Sequence, residues 1–336
     1  MEWFDAHLDL AYLAVRGRDM HAPLDPSIGP HPPGAVTLGS LREGGIVACL
    51  GTVFTESTSL ERAGDEPGVT YARGDATGAA AAGRSQIEVY AEWERRGWIT
   101  RLGAREASLR VGVLVEGADP IRGPEELAWW QERGVVAVGL TWARGSRFAA
   151  GNAGLADTGE RALTDAGREL VVALDEMGLV HDLSHLSRRG ADDLLARSSG
   201  RVMASHSNVA SLVDPANERH LTDAQVVEIA RRDGVIGLNL FSAFLEEGIE
   251  PGGSRRARLS ACVAHVERIA ELTGGRRHVG LGSDMDGGFS AARLPEGISE
   301  PRDLGRLLEG LRGAGWADAD LSAFSWGNWA RFWNLV

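Results

Sequence analysis

The sequence predicts a (β/α)8 barrel that carries a metal site at the carboxyl ends of its strands. Eight short apolar runs, rich in β-branched residues, are each bounded by glycine, proline or polar clusters, which is typical of buried strands. Helical patterns lie between these runs, and alternation of strands with helices indicates a parallel barrel. A histidine or an acidic residue stands at the end of five of the runs, where barrels of this class hold their active sites.

The predicted strands extend along the whole chain, at residues 3–10, 46–54, 109–116, 135–141, 179–184, 201–205, 235–240 and 278–283. Helix signals are clearest in three of the intervening segments, at residues 163–176, 221–232 and 261–273. The first two open with a threonine followed by an aspartate, and the third ends at Gly274. No internal repeat or linker divides the chain, so we expect one domain over residues 1–336.

Two stretches interrupt the alternation of strands and helices. Residues 16–36 are rich in proline and glycine, and residues 55–85 include a low-complexity run of glycine and alanine at 78–83. Both stretches follow the carboxyl end of a predicted strand. They are therefore expected to be either active-site loops that act as lids or solvated loops without a role in the reaction.

Composition excludes several classes of protein. A chain of 336 residues with 43% hydrophobic content can bury a large core. Its net charge of −12 argues against a nucleic-acid partner, because phosphates need cations to neutralise them. The sequence has no membrane span and no signal-peptide pattern at its start, so we expect a cytoplasmic protein. Cys49 and Cys262 are expected to be buried free thiols.

The first predicted strand contains the pair His7 and Asp9, whose side chains share one face of a strand because they are two residues apart. A neutral imidazole and a carboxylate are both good ligands for a divalent metal such as zinc. The ends of four other strands carry further groups of these kinds: Glu116, His185, His206 and Asp284.

Three histidines and three carboxylates exceed what one tetrahedral metal needs, and they suit two ions that share a bridging carboxylate. Each residue also has a structural explanation, such as a hydrogen-bonded histidine, a helix cap at Glu116, or turn formation at Asp284 and Asp286. Six such residues at one end of a barrel favour a metal site over six separate structural roles.

Five motifs occur in order along the chain: DAHLDL at 5–10, VEG at 115–117, DLSHLS at 182–187, ASHSN at 204–208 and GSDMDG at 282–287. Together they resemble the renal (membrane) dipeptidase family, metallopeptidase family M19, and the resemblance extends over almost the whole chain. It implies a (β/α)8 barrel that binds two zinc ions per chain. By this resemblance the ligands of one ion are His7, Asp9 and Glu116, and those of the other are Glu116, His185 and His206.

The resemblance also implies that Asp284 transfers protons, with Glu116 as the second catalytic residue, and that Arg219 binds the free carboxylate of the substrate. The implied activity is hydrolysis of the amide bond of dipeptides, some with a C-terminal D-residue, by a hydroxide that bridges the metals. The alternatives are a related amidohydrolase acting on another small acylated amino acid, and a metal-binding homologue without dipeptidase activity. The wider amidohydrolase group bridges its metals with a carboxylated lysine, and all 35 lysine-plus-arginine positions here are arginine, so Glu116 must bridge.

Trp142 stands where renal-type members carry a histidine after Leu-Thr on the fourth strand. We expect its indole to narrow and desolvate the pocket and shift the substrate range, unless it points into the core. Asn239, in the seventh strand, is predicted to contact the small-molecule substrate. Aromatic residues near both chain ends are expected to seal the barrel bottom or to form the contact of a homodimer: Trp3, Trp326, Trp329 and Trp333.

Overall fold

A computed structural model describes residues 1–105 and 109–335 of the chain. The strands in chain order are β1 (Trp3–Leu8), β2 (Ile46–Phe54), β3 (Glu56–Thr58), β4 (Thr70–Ala72), β5 (Ile99–Arg101), β6 (Leu109–Glu116), β7 (Val135–Gly139), β8 (Val180–Asp182), β9 (Val202–Met203), β10 (Ile236–Leu238) and β11 (Val279–Leu281). The α-helices are α1 (Leu10–Val15), α2 (Leu38–Glu43), α3 (Ala76–Arg95), α4 (Leu127–Glu132), α5 (Asp165–Met177), α6 (Arg188–Arg197), α7 (Asp223–Arg231), α8 (Leu259–Thr273), α9 (Gly305–Gly313), α10 (Asp318–Ser322) and α11 (Asn328–Phe332).

Eight of the strands form a parallel barrel in the order β10-β11-β1-β2-β6-β7-β8-β9. The last and first strands of this order meet through a parallel bridge between Ala204 and Ile236, where the Gly237 N–H donates to the Ala204 carbonyl at 2.8 Å. The short strand β5 pairs with β6 outside this ring, and β3 and β4 form a separate ribbon. The predicted (β/α)8 barrel is therefore confirmed.

Several strands are shorter than the sequence predicts, because the chain leaves the sheet two residues before the predicted end. The first strand ends at Leu8, and Asp9 is already the residue that precedes helix α1. Similarly, β8 covers only Val180–Asp182 of the predicted 179–184. The apolar pattern marks where each strand lies, and the backbone beyond it turns to bring side chains over the barrel mouth.

The expectation that residues 55–85 form a loop is wrong for residues 76–85, which begin the 20-residue helix α3. Its alanine-rich start has high intrinsic helix propensity. The Asp75 side chain caps this helix by accepting hydrogen bonds from the N–H groups of Thr77 and Gly78 at 3.1 and 2.9 Å. Residues 16–36 contain no helix or strand, as expected.

The interior of the barrel is closed at its amino end by the C-terminal helix α11. Trp329 is fully buried and stacks on Phe4 with ring centroids 5.7 Å apart, and its indole N–H donates to the Leu281 carbonyl at 2.9 Å. Trp329 thus seals the barrel bottom, which was one of the two roles expected for these tryptophans. Cys49 and Cys262 are buried free thiols, as predicted. Within the described residues, no helix combines the length and apolar character needed to cross a membrane.

Candidate metal centre

The residues predicted to bind metal lie together at the carboxyl ends of the barrel strands. His7 is the penultimate residue of β1, Asp9 directly precedes α1, and Glu116 is the last residue of β6. His185 and His206 each lie three residues beyond a strand, after β8 and β9. Because all parallel strands of a barrel end at the same rim, residues far apart in sequence meet there.

Glu116 lies between two groups of ligand atoms. Its Oε2 is 3.5 Å from His7 Nε2, which in turn is 3.7 Å from an oxygen of Asp9. Its Oε1 is 3.0 Å from His185 Nε2 and 3.6 Å from His206 Nε2. One carboxylate therefore faces two separate clusters of donor atoms, one with each oxygen.

The donor atoms fit divalent cations. The Nε2 atoms of His185 and His206 are 2.9 Å apart and both face Glu116 Oε1. The buried Nε2 of His7 has no hydrogen-bond partner among residues 1–105 and 109–335. Converging imidazole nitrogens and carboxylate oxygens are the ligands that zinc and similar ions take in proteins.

The electrostatics of the two outer histidines favour metal binding. Burial, together with the nearby Arg219 guanidinium, lowers the pKa of His185 to about 4. Burial and the neighbouring His7 hold the pKa of His206 well below its ordinary value. Both imidazoles are therefore neutral near pH 7, which is the form that binds a metal ion.

The pKa values of the two carboxyl groups at the centre, Asp9 and Glu116, are shifted in opposite directions. Burial and the charge of Glu116 together raise the pKa of Asp9 to about 7, against the opposing effect of His7. Glu116 is also buried, but His7 and His185 outweigh this and hold its pKa below the ordinary value. Glu116 therefore stays ionised and available to both clusters.

Asp284 lies three residues beyond β11, beside the same centre. Burial, together with the charges of Asp9 and Glu116, raises its pKa to about 8 against the opposing effect of His7. The Asn239 amide donates to Asp284 Oδ2 at 2.9 Å. The Asp284 backbone is left-handed, with φ +59°, a conformation that is strained for a residue with a side chain.

A cavity of about 390 Å³ opens over these groups, and Asp9, Glu116, His185 and Asp284 form part of its wall. Six aromatic side chains line another part of it: Tyr12, Phe54, Trp142, Phe241, Phe244 and Phe289. Both stretches that the sequence marked as active-site loops contribute to the wall. His31 comes from residues 16–36, and Glu56 and Glu66 come from residues 55–85.

Two of the three predicted substrate contacts line the cavity, and the third lies beneath it. Arg219 lines the cavity, donates to the His206 carbonyl at 2.8 Å and lies over the Phe244 ring. Trp142 also lines the cavity, edge-on to Phe54 at 5.2 Å, and so does not point into the core, which was the alternative to the expected pocket position. Asn239 is fully buried beneath Asp284 and is not part of the cavity wall formed by the described residues.

Two further residues support the imidazoles and were not predicted. Asn152 Oδ1 lies 3.2 Å from His185 Nδ1, and Ser205 Oγ lies 2.7 Å from His206 Nδ1. Ser205 directly precedes His206, and that adjacency was the available signal. Asn152 is 33 residues from His185 and lies in a loop, so no spacing in the sequence connects the two.

Comparison with known proteins places the chain in a family. The family model described as membrane dipeptidase (peptidase family M19) matches residues 1–336. The chain belongs to this family. The predicted family and enzyme class are thereby confirmed. The protein is a metal-dependent dipeptidase of family M19, and its substrates are small molecules.

The dipeptidase is 31% identical over 224 residues to an uncharacterized protein in the pqqA 5′ region of Klebsiella pneumoniae, which covers 65% of this chain and 78% of that protein. It is 28% identical to an uncharacterized dipeptidase of Schizosaccharomyces pombe, over 52% of this chain and 41% of that one.

Two solved structures share the fold of the dipeptidase. A metallopeptidase from Rhodobacter sphaeroides, liganded with a phosphinate mimic of the dipeptide L-Ala-D-Ala, has a TM-score of 0.80 at 23% identity, covering 98% of this chain and 97% of that one. The probable dipeptidase PvdM from Pseudomonas aeruginosa has a TM-score of 0.81 at 18% identity, covering 99% and 94%. At these identities the likeness concerns the fold.

Proposed function

We propose that the protein is a binuclear zinc dipeptidase that hydrolyses dipeptides with a free C-terminal carboxylate. The observation that carries this proposal is the position of Glu116, whose two oxygens face separate clusters of donor atoms. His7, Asp9 and Glu116 would hold one zinc ion, and Glu116, His185 and His206 the other. When bound, the ions lower the pKa of a water molecule and polarise the scissile carbonyl.

Asp284 is the group that moves protons in this proposal. It accepts a proton from the attacking water and later donates it to the leaving amine, and both transfers need a carboxyl pKa near the working pH. Burial shifts the pKa of Asp284 upward from its ordinary value, which is the direction that this double role needs. Asn239 donates to Asp284 Oδ2 and so leaves Oδ1 free for the transfer. We therefore reassign Asn239 from a substrate contact to a residue that positions Asp284.

Arg219 orients the substrate in this proposal. Its guanidinium is a positive charge in a wall of aromatic and acidic side chains, and a guanidinium fork matches the two oxygens of a carboxylate. Its side chain is held in place by the His206 carbonyl and by Ser207 Oγ at 3.1 Å. A carboxylate bound there lies next to the ligands of one zinc ion, which brings the preceding amide bond to the centre.

Trp142 favours a second candidate, an amidohydrolase for another small acylated amino acid. The indole lines the cavity and offers a single N–H donor, whereas an imidazolium could donate to a developing oxyanion.

Acceptance of a C-terminal D-residue is also part of the proposal, supported by the R. sphaeroides relative that was liganded with an L-Ala-D-Ala mimic.

A release assay tests the proposed activity. Zinc-loaded protein is incubated with L,L- and L,D-dipeptides and with N-acetyl and N-formyl amino acids, and the released amine is quantified. Hydrolysis of dipeptides above all acylated amino acids supports the dipeptidase. Preference for the acylated amino acids supports the second candidate, and no release from either panel by protein with two bound zinc ions contradicts both.

Arg219→Ala is expected to lower kcat/KM on dipeptides mainly through KM, by about 10–100-fold, because a charge-assisted bidentate pair is lost. The same dipeptides with a C-terminal amide should lose little. Arg144→Ala is the matched control, since Arg144 also lines the cavity but pairs with Glu56 at 2.9 Å. Equal losses on the acid and amide forms would show that Arg219 does not bind the carboxylate.

A further inference from the structure

We propose that Ser205 is a positioning residue whose hydroxyl accepts a hydrogen bond from Nδ1 of both His7 and His206. It thereby keeps the Nε2 atoms of both rings directed at the metal centre and couples its two halves. The inference rests on the proposed function, because it assigns these two imidazoles to different metal ions. It concerns the orientation of the imidazole rings and the nitrogen that carries the proton, which the identity of the ligands does not determine.

The Ser205 hydroxyl is a shared hydrogen-bonding point in the barrel interior. Its Oγ lies 3.1 Å from His7 Nδ1, 2.7 Å from His206 Nδ1 and 2.5 Å from Asp182 Oδ2. All four side chains are at most 2% exposed. The network is therefore shielded from bulk solvent.

Counting hydrogens settles the direction of each contact. A hydroxyl has one hydrogen and two lone pairs, and a carboxylate only accepts. The Asp182 carboxylate also accepts from the backbone N–H groups of Ser184 and Ser205, at 3.1 and 2.8 Å. The Ser205 hydrogen is therefore directed to Asp182, and both imidazoles donate an Nδ1–H to Ser205 Oγ. Each ring then presents Nε2 to the Glu116 side.

A third metal site between these residues is the competing explanation. Ligand atoms of His7, Asp182 and His206 do lie within 4.8 Å of one another. However, Ser205 Oγ is within hydrogen-bonding distance of all three, so it occupies the space a cation would need. The cluster is a hydrogen-bond network behind the metal ligands.

The coupling follows from the sharing of one acceptor. The rings of His7 and His206 are stacked with centroids 3.5 Å apart, so a shift in one ring displaces the other. The third imidazole, His185, has a separate acceptor in Asn152. Loss of Ser205 should therefore weaken both metal positions, whereas loss of Asn152 should weaken only the one held by His185.

Zinc affinities measured by competition with a chelator test this coupling. In Ser205→Ala, both dissociation constants are expected to rise by about 10–100-fold, as is typical when a residue behind a metal ligand is lost. In the matched control Asn152→Ala, one constant should rise and the other should not. Ser205→Thr keeps a hydroxyl and should restore both. A change in one constant only in Ser205→Ala, or equal affinities in the alanine and threonine variants, would overturn the proposal.

Nitrogen NMR of 15N-histidine-labelled wild-type protein tests the protonation pattern without a variant. In zinc-free protein, Nδ1 of both His7 and His206 should carry a proton. A neutral ring of either residue with its proton on Nε2 would overturn the assignment of Ser205. If instead wild-type protein binds fewer than two zinc ions while the Nδ1 protons are present, the binuclear proposal fails and the role of Ser205 in orienting the two rings stands.

Discussion

At the scale of single residues, the surroundings of Asp284 suit the proton transfer that we propose for it. Burial and two neighbouring carboxylates raise its pKa to about 8, while Asn239 holds one of its oxygens. An ordinary exposed aspartate titrates near pH 4 and would be a poor proton donor to an amine leaving group at neutral pH.

Asp284→Asn is expected to lower kcat on dipeptides by about 10²–10⁴-fold while zinc content stays close to that of the wild type, because the amide cannot exchange the proton. Steady-state kinetics with elemental analysis of the same samples measure both. Glu56→Gln serves as a control, since Glu56 lines the cavity and pairs with Arg144. Turnover that barely changes in Asp284→Asn would place proton transfer on another group.

Trp142→His is expected to raise kcat on simple dipeptides, by up to about 10²–10³-fold, if the wild type lacks a donor to the developing oxyanion. Phe54→His is the control, because it introduces an imidazole at a neighbouring position, where the ring packs against Trp142. This variant should not raise kcat. The dipeptide panel is measured for both variants after zinc content is matched. A folded Trp142→His with an unchanged profile would show that the indole does not limit the reaction.

At the scale of secondary-structure elements, Asp175 connects helix α5 to strand β8 and to the segment that precedes β9. Its carboxylate accepts from His181 Nε2 at 2.6 Å, from Ser198 Oγ at 2.7 Å and from the Ser199 N–H at 2.8 Å. Burial opposes ionisation, but these donors outweigh it and hold the pKa of Asp175 below its ordinary value.

Asp175→Asn is expected to lower the free energy of unfolding by about 2 kcal/mol at pH 7, because charged hydrogen bonds are lost at a partly exposed site. A depressed carboxyl pKa gives stability that is present above the unfolded-state value, about 3.9, and is lost as the pH falls below it. The difference from the wild type should therefore shrink between pH 5 and pH 3 in urea titrations.

Asp165→Asn is the control for this prediction, because Asp165 lies on the same helix with a 95% exposed side chain. Its effect should stay within about 0.5 kcal/mol at both pH values. A loss in Asp175→Asn that is the same at pH 7 and pH 3 would mean that the charge of Asp175 is not what stabilises this junction.

At the scale of the whole molecule, the proposed zinc ligands join distant parts of the barrel. They extend from His7 on β1 to His206 beyond β9, and Glu116 on β6 contacts both clusters. Ions bound there stabilise the folded barrel relative to the unfolded chain, in which the ligands are far apart.

Removal of metal by a chelator is expected to lower Tm by about 6 °C per ion. This follows from about 4 kcal/mol per ion at 1,000 times Kd, divided by an unfolding entropy of roughly 2.1 cal/mol/K per residue. Scanning calorimetry before chelation, after it and after zinc is restored measures the shift. Glu116→Gln should show a smaller shift. An unchanged Tm in protein shown to have lost its metal would contradict this stabilisation.

Several expectations about the whole molecule stay predictions: the single domain over residues 1–336, the cytoplasmic location and the homodimer. Trp329 is committed to the barrel bottom, and the half-buried Trp326 lies 6.3 Å from Phe4. The aromatic residues near the chain ends therefore have a structural role whether or not a second copy binds.

The sequence by itself determined the barrel and which side chains meet at the candidate metal centre. Buried parallel strands need continuous apolar runs, and the residue that follows such a run reaches the rim, so His7, Glu116 and Asp284 could be assigned from their positions in the pattern. Strand ends and the helix at residues 76–85 were predicted less well, because local hydrogen bonds such as the Asp75 cap determine where an element begins.

Only the tertiary structure decided which groups support that centre. Ser205 acts across 198 residues on His7, Asn152 across 33 on His185, and Asn239 across 45 on Asp284. Each of these contacts depends on the closing of the barrel, which brings side chains from separate strands within hydrogen-bonding distance. A linear pattern reports periodicity and strand ends, whereas such contacts arise from the way the strands are arranged around the axis.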